Sequence, residues 1–414
     1  SNQYSTNHIR LEAVGDIFIS ANVSTQGDDI YYNNTSSNNA SSGDIHIISG
    51  SKVSIAASIT ASGVNNTYSN STNGYAFDSG SIYIEGVGGV SIGGNLSAIG
   101  GDSTYGGSTR DGSSNSLEIN TGYGSLTTDG TNDGQTSGVI SGLNFTKSGS
   151  GVLQLTGSNT WTGYTDVSSG TLMMGSSGSI PSSKNLEVDG VLDLKGQSYT
   201  TSTFNGSGRV TSSVLGDATL SVSNSGTFSG LLEDGSGRLS IVKYSSNIFS
   251  LTGANTYSGL TRVRSSGRLL ISDSSALGAT VSGTVVESNS SLQLTGDIAV
   301  GDEYLTLSGT GYSSQGALYN VSGSNTWSGT LDLDTADTYI EIDSGSDLSL
   351  LGASSIVSSN NRNLFLFTRG DMLISGEIAN GSGYLSKRDD GRLTLEGNNT
   401  YTGITYITNG IVKI

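Results

Sequence analysis

The sequence predicts an all-β chain wound as a right-handed parallel β-helix, a β-solenoid of three-sided coils. Three observations carry that expectation. Short apolar doublets, aliphatic-x-aliphatic, recur at fixed offsets along the chain. Side chains two apart share one face of a strand, so each doublet marks a short strand with one face inward. No window places apolar residues at i, i+3, i+4 and i+7, so no amphipathic helix is expected. The spacers between doublets are rich in Gly, Ser and Asn, which tolerate the left-handed backbone angles of tight corners.

The first repeat family occupies residues 9–100. Ile9-Arg10-Leu11, Ile17-Phe18-Ile19 and Val23 set the offsets. Ile45-His46-Ile47, Val53-Ser54-Ile55 and Ile59 repeat them, as do Ile82-Tyr83-Ile84, Val90-Ser91-Ile92 and Leu96. Three strands separated by Gly-containing corners describe one coil, and a fourth unit starts at Leu117-Glu118-Ile119. Polar excursions at 27–43, 63–80 and 100–116 leave the same corner of successive units. All three are therefore expected to project from one side.

The second family runs from about 145 to the end. Lys147, Leu153-Gln154-Leu155 and Trp161 define it; Lys243, Phe249-Ser250-Leu251 and Tyr257 follow the same spacing, as do Lys387, Leu393-Thr394-Leu395 and Tyr401. A Gly-x-Asn-Thr corner precedes each aromatic, for instance Gly253-Ala254-Asn255-Thr256. Looser copies at Phe228 and Trp327 keep the aromatic without the Lys. Identical spacing predicts superimposable backbones, with the three aromatic rings buried at matching corners. The change of repeat divides the chain into a segment 1–143 with long loops and a segment 144–414.

Composition narrows the function classes. The 414 residues include 61 Gly, one Pro and no Cys; 33% are hydrophobic and 13% charged. Disordered chains share that polarity but have no reason to keep a register. Without Cys, stability must come from stacking rather than disulfides. A net charge of −17 disfavours nucleic acid and anionic membrane as partners, because both need basic patches. No run of 18 apolar residues predicts membrane insertion. Ser1 opens no signal peptide and Ile411-Val412-Lys413-Ile414 still follows the repeat, so a mature or excised piece of a longer chain is expected.

The stretch Phe145–Met174, with Lys147-Ser-Gly-Ser-Gly-Val-Leu-Gln-Leu-Thr-Gly-Ser-Asn-Thr-Trp-Thr-Gly, resembles the autotransporter-associated β-strand repeat of bacterial passenger domains. Residues 239–272 and 385–414 resemble it nearly as closely, and Ser274-Ser275-Ala276-Leu277-Gly278 looks like the loop that often follows it. The first 100 residues look more loosely like filamentous-haemagglutinin-type repeats. The resemblance implies a secreted or cell-surface β-helix adhesin, with a host, neighbouring-cell or matrix surface (carbohydrate or protein) or itself as partner.

Candidate chemistry is sparse. Gly89-Val90-Ser91-Ile92-Gly93 fits a nucleophile elbow, but Val90-Ser91-Ile92 repeats Val53-Ser54-Ile55 and no helix signal follows. His8 and His46 occupy nearly equivalent solvent-facing repeat positions, too few for a triad or a histidine zinc site. Asp332, Asp334, Glu341 and Asp343 alternate with aliphatics and should point outward, as a cation site, a glycosidase pair or plain solubilising charge. Asp129-Gly130-Thr131-Asn132-Asp133-Gly134 opens like a Ca²⁺ loop, but Ile140 stands where the closing Glu belongs. No cofactor is expected, Ca²⁺ being the one candidate ion. The excursions supply the binding candidates Asp28, Asp29, Tyr31, Tyr32, Tyr68, Tyr75, Asp78 and Tyr105, a Tyr and Asp mix suited to adaptable recognition.

The reading is a non-enzymatic adhesive or structural β-helix. A self-assembling filament subunit and a polysaccharide lyase or glycoside hydrolase on the same scaffold are the alternatives.

Overall fold

The computed structural model describes residues 8–26, 43–62, 66–68, 81–87, 89–92, 96–99, 102–105, 108–111, 117–120, 140–141, 144–148, 150–155, 158–159, 162–175, 180–182 and 185–414. Their regular structure is β throughout, apart from one 3₁₀ turn at Tyr312–Ser314. Parallel strands stack coil upon coil into a β-solenoid. The chain divides into two compact units, Ser1–Asp193 and Leu194–Ile414. The change of repeat at 143–144 falls inside the first.

In the first unit the repeated doublets stack in register. Ile9–Ala13 pairs with Ile45–Ser49, that strand with Ile82–Gly86, and that one with Leu117–Asn120. Ile17–Ile19, Lys52–Ile55 and Gly89–Ile92 form a second stack. Val23–Gln26, Ile59–Ser62, Leu96–Ile99 and Ile140–Ser141 form a third. Alternation does what the doublets require: Ile45, Ile47, Val53, Ile55, Ile59, Ile82 and Ile84 are buried in the interior. Polar corners are stitched between coils, since Asp16 Oδ1 accepts the Lys52 N–H at 3.1 Å and Asn22 Oδ1 accepts the Ser58 N–H at 3.0 Å.

In the second unit three stacks carry the core. The first runs from Tyr199–Thr201 to Ile378–Ala379, the second from Gly226–Phe228 to Thr405–Ile407, and the third from Ala299–Val300 to Ile411–Lys413. Coils built on strands such as Leu331–Leu333, Thr338–Ile342 and Asp347–Leu350 are three-sided, as expected.

Coils of the Lys-containing repeat differ. Those of Lys243 and Lys387 have two strands, and the Gly-x-Asn-Thr-aromatic segment crosses the remaining side without a strand. Its Asn replaces the missing ladder. Asn255 Oδ1 accepts the Leu232 N–H of the coil before at 2.8 Å, and its Nδ2 donates to the Ala276 carbonyl of the coil after at 2.7 Å. Asn399 likewise accepts the Ile378 N–H; in the looser copy Asn325, within the strand Ser324–Trp327, accepts that of Ile298. The motif Gly is needed because backbones approach here: a Cβ on Gly253 would strike the Gly230 and Ser229 carbonyls, and one on Gly397 the Gly376 carbonyl.

The repeats do not share faces. The repeat built on Lys243 lies on the first and second stacks, whereas that built on Lys387 lies on the second and third. Intervening coils of longer and unequal length turn the pattern by one side.

Candidate functional site

The second and third excursions come together as main chain. Asn66–Tyr68 pairs in parallel with Asp102–Tyr105, which folds back antiparallel onto Ser108–Asp111. This small sheet is separate from the solenoid stacks in its strand pairing. Within it Tyr68 stands opposite Tyr105. Of the remaining binding candidates, Asp28, Asp29, Tyr31, Tyr32, Tyr75 and Asp78 lie outside the described residues, as do the first excursion up to residue 42 and the Asp129–Gly134 segment.

Ser91 sits in a repeat strand opposite Ser54, with no helix following among the described residues. His8 is exposed and its Nδ1 accepts the Asp44 N–H at 2.9 Å. His46 is half-buried, its ring 5.7 Å from that of Tyr83.

The four acids of 332–343 keep the expected outward register, but Asp332, Asp334 and Asp343 are half-buried and Glu341 is buried. Glu341 is only 4% accessible. Burial raises its carboxyl, and the Arg369 guanidinium opposes that rise from 2.8 Å away. Arg369 also binds Asp343 at 2.7 Å, and the Tyr319 hydroxyl donates to Asp343 at 2.5 Å. Asp332 accepts the Tyr304 hydroxyl at 3.0 Å. The expectation of outward, exposed acids is thus corrected: Arg369 and the Tyr304 and Tyr319 hydroxyls engage three of them, Asp332, Glu341 and Asp343. Glu341 and Asp343 share Arg369 as their counter-charge. Among the described residues no group of three or more His, Cys, Asp or Glu is placed to hold a metal ion.

The Lys of each repeat is the polar feature that spacing marked without revealing its role. Lys147, Lys243 and Lys387 are fully buried. Lys147 Nζ donates to the carbonyls of Ser148 at 2.8 Å and Ser169 at 3.2 Å. Lys243 Nζ donates to Tyr244 and Ser245 at 2.5 and 2.8 Å. Lys387 Nζ reaches Arg388, Asp389 and Asn409 at 3.0, 2.6 and 3.1 Å. Each ammonium thus gathers corner carbonyls that the strand ladder leaves free, and charge-assisted bonds of this kind contribute about 1.5–3 kcal/mol apiece. Burial pulls Lys147 and Lys243 down to about 8, so both remain mostly charged at neutral pH, and it pulls Lys387 in the same direction. Parity was the available signal: Lys243 is two residues beyond Ile241 and four beyond Leu239, on the inward register.

The aromatics close the same coils. Tyr257 is fully buried with its hydroxyl 2.6 Å from Thr261 Oγ1; Tyr401 makes the equivalent 2.7 Å bond to Thr405 and is half-buried. Trp161 lies outside the described residues. In the looser copies Phe228 and Trp327 are fully buried, and Trp327 Nε1 donates to the Glu303 carbonyl at 3.0 Å.

Residues 145–173, 241–271 and 385–414 match the family model described as the passenger-associated transport repeat. No curated protein and no solved structure matches the chain. The matched segments are the coils with a buried Lys, and in the latter two Asn255 and Asn399 stitch the corner. Repeats and solenoid together make this an autotransporter-passenger-like repeat protein.

Proposed function

We propose that the chain is the adhesive or structural part of a bacterial passenger, a non-enzymatic β-helix exported to the cell surface that presents binding elements to another surface. The observation that carries this reading is the coincidence of three passenger-associated repeats with a stacked solenoid. A solenoid gains stability one coil at a time, each resting on its neighbours, and needs no disulfide to persist outside a cell. Its excursions supply loops for recognition without disturbing the stack. Residues before 145, with their filamentous-haemagglutinin-like offsets, belong in this reading to the same exported passenger and carry its side sheet. The partner is a host, neighbouring-cell or matrix surface.

Two experiments test it. An antibody against the chain should label intact producing cells, and protease added outside should remove the label; staining only after permeabilisation contradicts export. Beads coated with the purified chain should adhere to a partner surface, and loss of the hairpin 102–111 should weaken adhesion while far-UV circular dichroism stays the same. Equal adhesion without the hairpin removes the excursions from the binding role.

A further inference from the structure

The outward face of the second stack differs from the other two. Outward positions on the first stack include Arg262, Arg264, Thr306 and Asp332, and on the third Thr326, Asp347, Ser349 and Asp371, mostly polar or charged side chains. The second stack instead concentrates rings. Tyr339 packs on Phe365 and Phe367 with centroids 4.8 and 4.9 Å apart; Tyr384 meets Phe365 edge-on at 5.3 Å and Tyr406 edge-on at 5.4 Å. Arg388 lies over Phe365 and Phe367 at 5.0 and 5.3 Å. Phe365 is 8% accessible and forms the floor, Tyr339, Phe367 and Tyr384 are half-buried, and Tyr406 is 46% accessible. Register partners Tyr339, Phe365, Ser386 and Tyr406 set this cluster out as a line running from coil to coil.

We infer that this face is a binding platform for an extended segment of uncharged polysaccharide. Size and charge select that occupant. Strands Leu318–Asn320 through Thr405–Ile407 span four coil steps, and with their own length cover roughly 300 Å². A stable protein partner needs about 800 Å² on each side, so a second copy or a folded protein is poorly served. A linear glycan can follow a stepped row of rings with polar groups beside it, and the tilted and edge-on rings of this face make such a row. Glu341, Asp343 and Asp389 converge on Arg369, and Asp337 binds Asn363 at the stripe's edge. These four acids outnumber Arg369 and Arg388, which disfavours acidic glycans. The face lies on regular strands, so its rings are held in place before binding.

This inference deepens the attachment reading and rests on it for the source of the glycan, but its test needs only the purified chain. Affinity electrophoresis through gels containing mannan, hydroxyethylcellulose or soluble β-1,3-glucan should retard the protein in at least one. The triple variant Tyr339→Ser/Tyr384→Ser/Tyr406→Ser should lose that retardation at least tenfold. Tyr304→Ser, which removes an exposed ring from the first-stack side, should keep it, and Tyr339→Phe/Tyr384→Phe/Tyr406→Phe should retain most of it because the ring faces remain. Unchanged circular dichroism and melting temperature establish that each variant is folded; if the triple serine variant unfolds, Arg388→Ala and Tyr406→Ser alone are compared instead. Retardation by none of the three glycans, or retardation that survives loss of the rings, overturns the inference. Dimerisation in sedimentation that the same variants abolish reassigns the face to a second copy. Failure of the adhesion assay with glycan binding intact would count against the attachment reading and leave this platform standing.

Discussion

Lys243 and Val263 stand opposite one another in adjacent coils, twenty residues apart. The same offset joins Lys147 to Val167 and Lys387 to Ile407. Each repeat is therefore one coil of fixed length, closed over its own lysine by a β-branched residue. The fixed length follows from the chemistry of the coil: the Lys gathers corner carbonyls, and in the Lys243 and Lys387 coils an Asn bonds the coil before and the aromatic lies on the side that has no strand.

The lysines give stability an unusual pH slope. Lys147 and Lys243 titrate near 8 in the folded chain and near 10.5 when unfolded, so between those values the unfolded chain holds more protons. Stability should rise as pH increases from about 7.5 to 9.5, by about 1–3 kcal/mol per site. Urea melts across that range check this, and Lys243→Met should flatten part of the slope. A flat wild-type profile would contradict it.

Glu303 should act in the opposite sense. Its carboxyl is 2% accessible; Oε1 accepts the Thr284 hydroxyl at 2.7 Å, and Oε2 has no hydrogen-bond partner. Burial pushes it up to about 7. The stability it contributes is complete below pH 4.5 and disappears as pH rises through 7, a loss of up to about 3 kcal/mol. Glu303→Gln should abolish that acid-side slope in thermal melts of the same chain. A slope that persists in the variant would place its origin elsewhere.

Asn255→Ala should be costly for its size. It leaves the Leu232 N–H and the Ala276 carbonyl without partners inside the stack, at about 1–3 kcal/mol each. Equilibrium denaturation should show a loss of about 2–5 kcal/mol, against little change for the exposed neighbour Ala254→Ser. Equal effects at the two positions would refute the stitching role.

The side sheet can be tested covalently, because the protein has no native Cys. Tyr68→Cys/Tyr105→Cys should form an intramolecular disulfide under mild oxidation, since register partners on neighbouring strands fall within bridging range. Tyr68→Cys/Asp111→Cys should not. Equal yields from both pairs would show that the excursions do not pair in this register.

Much of the fold was legible because a coil is short and its alternation is strict. Ile45, Ile47, Val53 and Ile55 declare their inward faces by spacing alone, and Leu117 could be placed as a fourth unit from its offset. The one-side turn between the Lys243 and Lys387 repeats was not legible. It depends on the summed lengths of intervening coils and corners, which no single motif encodes. The site was legible only in part. Tyr68 and Tyr105 could be placed on one flank from the shared corner, but the ring line through Tyr339, Phe365 and Tyr406 was not visible. Those residues are far apart in sequence and belong to coils of unequal length, so only the register aligns them. Glu341 showed its outward parity but not the Arg369 that covers it, which comes from the next coil.

The account turns on the repeat lysines being structural posts that point inward, leaving recognition to the outer faces. Reductive methylation of the native chain, mapped by mass spectrometry, tests this directly. Lys52 and Lys413 are exposed and should react fully, whereas Lys147, Lys243 and Lys387 should stay largely unmodified until the chain is unfolded. Modification of all five at similar rates in the folded protein would contradict it.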